Sequence, residues 1–242
     1  MNSVDNLLKR LEQLNDIGAS LSQERDITRL LERILLAAKT ITHADGGTLY
    51  RMLEDGQTLR FEILRTDSLQ IAMGGTSGSA ISFPDLPLRT AAGLPNDSLV
   101  AAYAAIHSQT VNIADVYTEA NFDFSGTHLF DERTGYRSQS FLSVPMKNHE
   151  GEVIGVLQLI NAQALDGQAV VPFSASDQRL AESLASQAAI ALSNRLLVSQ
   201  LEELFESFIS LINVAIEEKS QYTGGHCQRV PVLTMLLADA VT

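Results

Sequence analysis

Cysteine is almost missing from this chain: Cys227 is the single one in 242 residues. One thiol cannot close an internal disulfide, which suits a reducing compartment, so the expected location is cytoplasmic. Basic side chains are scarce as well. Seventeen Lys and Arg stand against 29 Asp and Glu, for a formal net charge of -12. Neutralising phosphates takes clustered cations, so the sequence excludes nucleic acid as a partner, and an anionic membrane surface with it. No apolar run reaches the roughly 18 residues that a spanning helix needs. The first residues, MNSVDNLLKRLEQ, are too charged for a secretory signal. The hydrophobic fraction, 45%, is ample for one large domain with extensions.

The strongest local signal lies in residues 135–161, GYRSQSFLSVPMKNHEGEVIGVLQLIN. It reads as two strands, 139–147 and 152–161, joined by the turn Asn148-His149-Glu150-Gly151. Pro145 fits only at a strand end or an edge. The run from Val153 to Ile160 is almost wholly apolar, so both faces should be buried. Two further blocks lie upstream, Val111-Asn112-Ile113-Ala114-Asp115-Val116-Tyr117 and Phe130-Asp131-Glu132-Arg133-Thr134-Gly135-Tyr136. Together the three blocks resemble a GAF domain, a small-ligand sensor fold, of the cyclic-nucleotide phosphodiesterase type. The resemblance implies an α/β (α+β) fold: about six antiparallel strands, helices packed on one face, and long helices at both ends.

The rest of the chain is consistent with that plan. Val4, Leu7, Leu11, Leu14 and Leu21 form a heptad-like helical seam, with Gly18 in the remaining slot. Asp26 can cap a second helix with the face Leu30, Ile34, Leu35, Ala38 and Ile41. Segments 48–53 and 59–64 predict a hairpin across Glu54-Asp55-Gly56-Gln57. Residues 66–97, rich in Gly, Ser, Thr and Pro, should form one wall of the pocket. Residues 98–107 predict a short helix, 110–113 a strand, and 117–133 a loop. From Ala175 a long helix begins. Its repeat Leu197, Leu201, Leu204, Phe208 and Leu211 is open to two readings, packing within its own domain or a two-chain coiled coil, and we favour the second. The organisation expected is an N-terminal dimerisation helix (1–25), a GAF sensor (26–195) and a signalling coiled-coil helix (196–214).

Residues 215–242 resemble the opening of an HD-GYP phosphohydrolase, a family that cleaves cyclic di-GMP with a metal-activated water. Thr223, His226 and Arg229-Val230 fall in that family's order. The resemblance implies His226 as a metal ligand in an intact domain, with a divalent cation such as iron or manganese. His43, His107, His128 and His149 are not followed by Asp, and no Gly-Tyr-Pro motif occurs. A hydrolytic site needs several His and Asp ligands, so this chain alone is not expected to be an enzyme. The parent is expected to be a metal-dependent phosphohydrolase, cut here inside its second domain.

Cyclic-nucleotide-binding relatives carry Asn-Lys, a gap, Phe, three residues and Asp-Glu. This chain keeps Asn161, Phe173 and Asp177 but has Ala162 for the Lys and Gln178 for the Glu. Ala162 brings no charge to Asp177, so the Lys–Asp lock of the family should be loosened. Asp177 can equally cap the long helix. By resemblance Thr48, Val100, Thr134 and Ser138 face the pocket. The hydroxyls of Thr48, Thr134 and Ser138 suit a neutral, purine-like or otherwise polar ligand, or else satisfy neighbouring backbone, which is the reading preferred for Thr48. Asp115 reads as a turn cap. With no cysteine before residue 227, covalent bilin attachment and methionine-sulfoxide reduction are disfavoured. The expected function is a homodimeric GAF sensor that binds a small molecule or nucleotide and controls an HD-GYP output. The alternative is a ligand-free GAF domain serving as a dimerisation spacer.

Overall fold

A computed structural model of the chain describes residues 3–164, 167, 169–219 and 226–241. It falls into two compact units, Met1–Asn194 and Arg195–Thr242.

In the first unit, helix α1 (Ser3–Gln23) leads to α2 (Ile27–Thr42). Asp26 caps α2 by accepting the Arg29 N–H at 2.8 Å. Every residue of its predicted face is buried: Leu30, Ile34, Leu35, Ala38 and Ile41 are at most 2% exposed. Burying each Leu or Ile there contributes about 1.5–3 kcal/mol, an upper figure because unfolded chains are partly compact. Leu14 and Leu21 of α1 are buried inside the same chain. Gly18 lies so close to the side chain of Gln187 that a Cβ would collide with it. That close approach explains the gap in the α1 seam.

An antiparallel sheet follows: β1 (Ala44–Met52), β2 (Thr58–Thr66), β3 (Ile71–Gly74), β4 (Leu86–Pro87), β5 (Val111–Ile113), β6 (Phe141–Lys147), β7 (Val153–Gln163) and β8 (Val170–Val171). Six strands run in the order β3-β2-β1-β7-β6-β5, with β4 added to β2 and β8 to β7. The central hairpin pairs Phe141 with Ile160 and Val144 with Leu157. Pro145 is inside β6, but β5 pairs with β6 only as far as Ser143. One side of Pro145 is therefore uncovered, and its missing N–H costs no ladder bond.

The two faces of the sheet are covered differently. One bears Leu49, Leu157 and Leu159, and α2 leans on it: a Cβ at Gly47 would meet Leu35 Cδ1 at 2.9 Å. The other bears Tyr50 and Val156, which pack with the short α3 (Val100–Ile106). Alanine favours helix and keeps α3 thin, so Ala101, Ala102, Ala104 and Ala105 all bury against the sheet. The sequence reading placed helices on one face; α3 adds a partial second layer. Residues 117–133 also depart from the expected loop, since helix α4 (Ser125–Thr134) forms there. It has almost no apolar stripe to betray it, and Asp131 is its single buried residue. Local contacts hold it instead. Asp123 accepts the Ser125 N–H at 2.9 Å, and Gly135 ends it at φ 70°.

Helix α5 (Ala175–Lys219) begins in the first unit. In the second unit it exposes Leu201, Leu204, Phe208 and Leu211, each more than half accessible. Helix α6 (His226–Val241) follows, with Pro231 inside it. Thr223 and the side chain of His226 lie outside the described residues.

Candidate functional site

A cavity of about 290 Å³ opens between the Tyr50 face of the sheet and the α3–α4 layer. The pleat of β1 and β7 points Thr48, Tyr50, Gln158 and Ile160 into it, while Phe141 enters from β6. Phe61 and Leu64 of β2 form a second wall, closed by Phe83 and Leu86 from residues 66–97. Val100 and residues 123–127 close the third side, with Phe130, Tyr136 and Ser138. The wall expected from the glycine-rich segment is thus Thr66, Phe83 and Leu86.

The polar groups in the cavity form a chain. The Tyr50 hydroxyl donates to Gln158 Oε1 at 3.1 Å, and Gln158 Nε2 donates to Ser143 Oγ at 3.0 Å. Burial, partly offset by a hydrogen bond with Thr48, pushes the Tyr50 phenol far above its ordinary value. The Tyr136 hydroxyl donates to Asp45 Oδ2 at 2.6 Å. Burial, and then that carboxylate, keep this phenol protonated too. At the mouth, the Ser125 N–H holds the Asp123 carboxyl below its usual range. The cavity lining contains no Lys, Arg or His.

The sequence-predicted residues separate here. Thr48, Val100 and Ser138 all line the cavity and are at most 5% exposed. Ser138 is already engaged: its hydroxyl and N–H each reach Asp131 at 2.8 Å. Thr134 is not in the lining. Its hydroxyl donates to the Phe130 carbonyl at 2.8 Å, one turn back along α4. Sequence reading missed Tyr50, Tyr136 and Gln158. Gln158 did leave a signal, being the one polar side chain inside the apolar run of β7.

The three signature residues do structural work outside the cavity. Asn161 sits in the left-handed region at φ 57°. Its Oδ1 accepts the N–H groups of Gln139 and Ser140 at 2.7 and 3.3 Å, and its Nδ2 donates to the Arg137 carbonyl at 2.8 Å. It thereby fixes the segment that carries Ser138. Phe173 is buried, and its carbonyl accepts from Asn112 at 3.2 Å. Asp177 closes a capping box with Ser174: Oδ2 accepts the Ser174 hydroxyl at 2.7 Å, and Ser174 Oγ accepts the Asp177 N–H at 3.1 Å. Ala162 offers Asp177 no partner, as its side chain requires, and a different contact is made. Arg10 of α1 reaches Asp177 Oδ1 at 2.5 Å and also donates to the Ile41 carbonyl. Asp115, as expected of a turn cap, accepts the Tyr117 N–H at 2.9 Å. Among the described residues no three His, Cys, Asp or Glu side chains converge to hold a cation.

The sequence model of the GAF domain matches residues 26–192. The chain belongs to the GAF family. GAF domains are sensory and regulatory modules, and this one occupies most of the chain. The dual 3',5'-cyclic-AMP and -GMP phosphodiesterase 11A of Takifugu rubripes is 26% identical over 213 residues, covering 87% of this chain and 21% of that protein. The cGMP-specific 3',5'-cyclic phosphodiesterase of Drosophila melanogaster is 29% identical over 158 residues, covering 62% of this chain and 12% of that protein. The chain therefore spans about a fifth or less of the curated relatives it matches. Among solved structures, the GAF domain of an Acinetobacter phosphoenolpyruvate-protein phosphotransferase aligns with a TM-score of 0.56 at 16% identity, over 83% of this chain and 99% of that one. The free methionine-R-sulfoxide reductase of Neisseria meningitidis, solved with its substrate, aligns with a TM-score of 0.56 at 15% identity, over 82% and 96%. At these identities the likeness concerns the fold. No described helix is long and apolar enough to cross a membrane.

Proposed function

We propose that this GAF module is a cytoplasmic sensor that binds a small molecule in the cavity and controls a C-terminal output. The observation that carries the reading is the cavity itself, walled by aromatic rings and a buried row of hydroxyl and amide groups. Few polar groups set in an apolar pocket are what a selective small-molecule site requires. The proposed assembly is a homodimer. The contact proposed lies in the flanking helices: on α5 it is the exposed seam of Leu197, Leu201, Leu204, Phe208 and Leu211, while on α1 Leu14 and Leu21 are buried within the protomer and the side chains of Val4, Leu7 and Leu11 lie outside the described residues. The proposed output is a phosphohydrolase of the HD-GYP kind, acting on cyclic di-GMP through iron or manganese. Its support is the sequence likeness of residues 215–242. A ligand would act on it only through unequal affinity for two states of the dimer.

A second reading, a ligand-free dimerisation spacer, draws on the fact that Ser138 and Tyr136 already have partners within the chain. Thermal unfolding separates the two. A ligand at about 100 times its Kd stabilises the native state by about 2.7 kcal/mol, or about 5–11 °C for a domain of this size. Native mass spectrometry of the purified chain should show a retained small molecule. Val100→Trp, which fills the cavity, should lose both that mass and the thermal response. A response that survives Val100→Trp, or no retained mass and no response to a metabolite library, refutes the ligand-binding reading.

A further inference from the structure

We infer that the cavity selects an uncharged, nucleobase-like heteroaromatic ligand rich in N–H donors and rejects anions, cyclic nucleotides included. This rests on the reading that the cavity holds a ligand, and it specifies which kind.

Three hydroxyls in the lining have their hydrogens committed elsewhere. Tyr50 donates to Gln158, Tyr136 to Asp45 and Ser138 to Asp131. Each can offer the cavity only an acceptor, and the Tyr50 and Tyr136 oxygens share that capacity with Thr48 and Asn161. Among the phenol and amide groups the spare donor is the second N–H of Gln158, since the first goes to Ser143, while the Thr66 and Thr127 hydroxyls of the lining can donate or accept. Such a wall is matched by a ligand that brings donors. An anion brings acceptors and would face lone pairs in a water-poor pocket.

Charge points the same way. Asp45 and Asp131 are 7% and 5% exposed and stand directly behind Tyr136 and Ser138. Their partners are hydroxyl and N–H groups of Ser68, Tyr136, Tyr117 and Ser138. No ion pair among the described residues neutralises either one. Arg137 lies over the Tyr117 ring at 4.2 Å and is exposed to solvent, and Lys39, which shares a cleft with Asp45, is paired with Asp67. The start of α4 is where an anion would otherwise settle, on free N–H groups at a helix N-terminus. Asp123 already places a carboxylate there, 2.9 Å from the Ser125 nitrogen. Phe61, Phe83, Phe130 and Phe141 line the cavity, and aromatic walls favour a flat ring that can stack or meet them edge on. The cavity volume, about 290 Å³, lies at the lower edge of small-molecule sites, which favours a compact ligand.

The test uses the full chain and two matched pairs: adenosine against cyclic AMP, and guanosine against cyclic GMP. Isothermal titration at low salt measures each. Within at least one pair the nucleoside should bind at least about tenfold tighter than its cyclic phosphate. Asp123→Asn should narrow that gap by strengthening the cyclic phosphate more than the nucleoside. Tight binding of a cyclic nucleotide, equal to or better than its nucleoside, overturns the inference while leaving the ligand-binding reading intact. A gap that Asp123→Asn does not move overturns the electrostatic cause. Silence from all four compounds overturns the heteroaromatic ligand; retained mass in the native spectrum then tells separately whether the cavity binds anything.

Discussion

Replacing Asn161 by alanine should be among the most damaging single changes outside the hydrophobic core. The side chain is 2% exposed and joins β7 to the segment before β6 through three hydrogen bonds. Removing it strands the N–H groups of Gln139 and Ser140 and the carbonyl of Arg137. Each buried group left unmet costs about 1–3 kcal/mol. Alanine also tolerates φ 57° less well than asparagine, at about 1–2 kcal/mol. With relaxation and water entry offsetting part of this, the expected total is about 3–5 kcal/mol. In a domain of this size that lowers Tm by about 6–20 °C. Differential scanning calorimetry reads it directly. Two controls separate the causes. Asn161→Gly restores the backbone freedom and should recover about 1 kcal/mol. Asn161→Asp keeps the acceptor for Gln139 and Ser140 but faces the Arg137 carbonyl with another oxygen, so it should fall between wild type and alanine. A Tm loss under about 3 °C for the alanine variant would refute the clamp.

The Arg10–Asp177 pair is mostly buried, with side chains 17% and 15% exposed, so Arg10→Ala should cost about 1–3 kcal/mol by leaving Asp177 and the Ile41 carbonyl unmet, and Asp177→Ala at least as much because the capping box goes too. A urea double-mutant cycle should give a coupling near 1 kcal/mol, and zero coupling would count against the α1–α5 lock. Burial raises the Glu32 carboxyl, but hydrogen bonds from Thr76 and Arg65 outweigh it and leave the group below its usual 4.5. Its folded value is depressed, so its contribution is present above about pH 4.5 and lost as pH falls. Urea midpoints at about pH 7 and about pH 3.5 should therefore differ less in Glu32→Gln than in the parent. Leu201→Glu with Phe208→Glu should weaken the homodimer by setting four carboxylates in a dry contact, as seen by light scattering. A parent already monomeric at micromolar concentration, or a double variant still fully dimeric, would remove that seam as the dimer contact.

Periodicity and turn chemistry determined much of this protein before any coordinates. The Asp26 cap, the buried face of α2, the Asn148–Gly151 reversal and the central hairpin, expected at 139–147/152–161 and formed by Phe141–Lys147 and Val153–Gln163, follow from local rules, since each is decided by residues close in sequence. Family likeness pointed to Thr48, Val100, Thr134 and Ser138, and of these Thr134 lies outside the cavity lining. The rest was decided by distance in space. Helix α4 has no apolar period to read, because Asp123 and Gly135 hold its ends and its own face buries little. The partner of Asp177 could not be found near Ala162, because it is Arg10, 167 residues away along the chain. The acceptor-rich character of the cavity is likewise tertiary. A hydroxyl in a sequence is both donor and acceptor. Only once Asp45 is folded against Tyr136, and Asp131 against Ser138, is it fixed which half remains for a ligand.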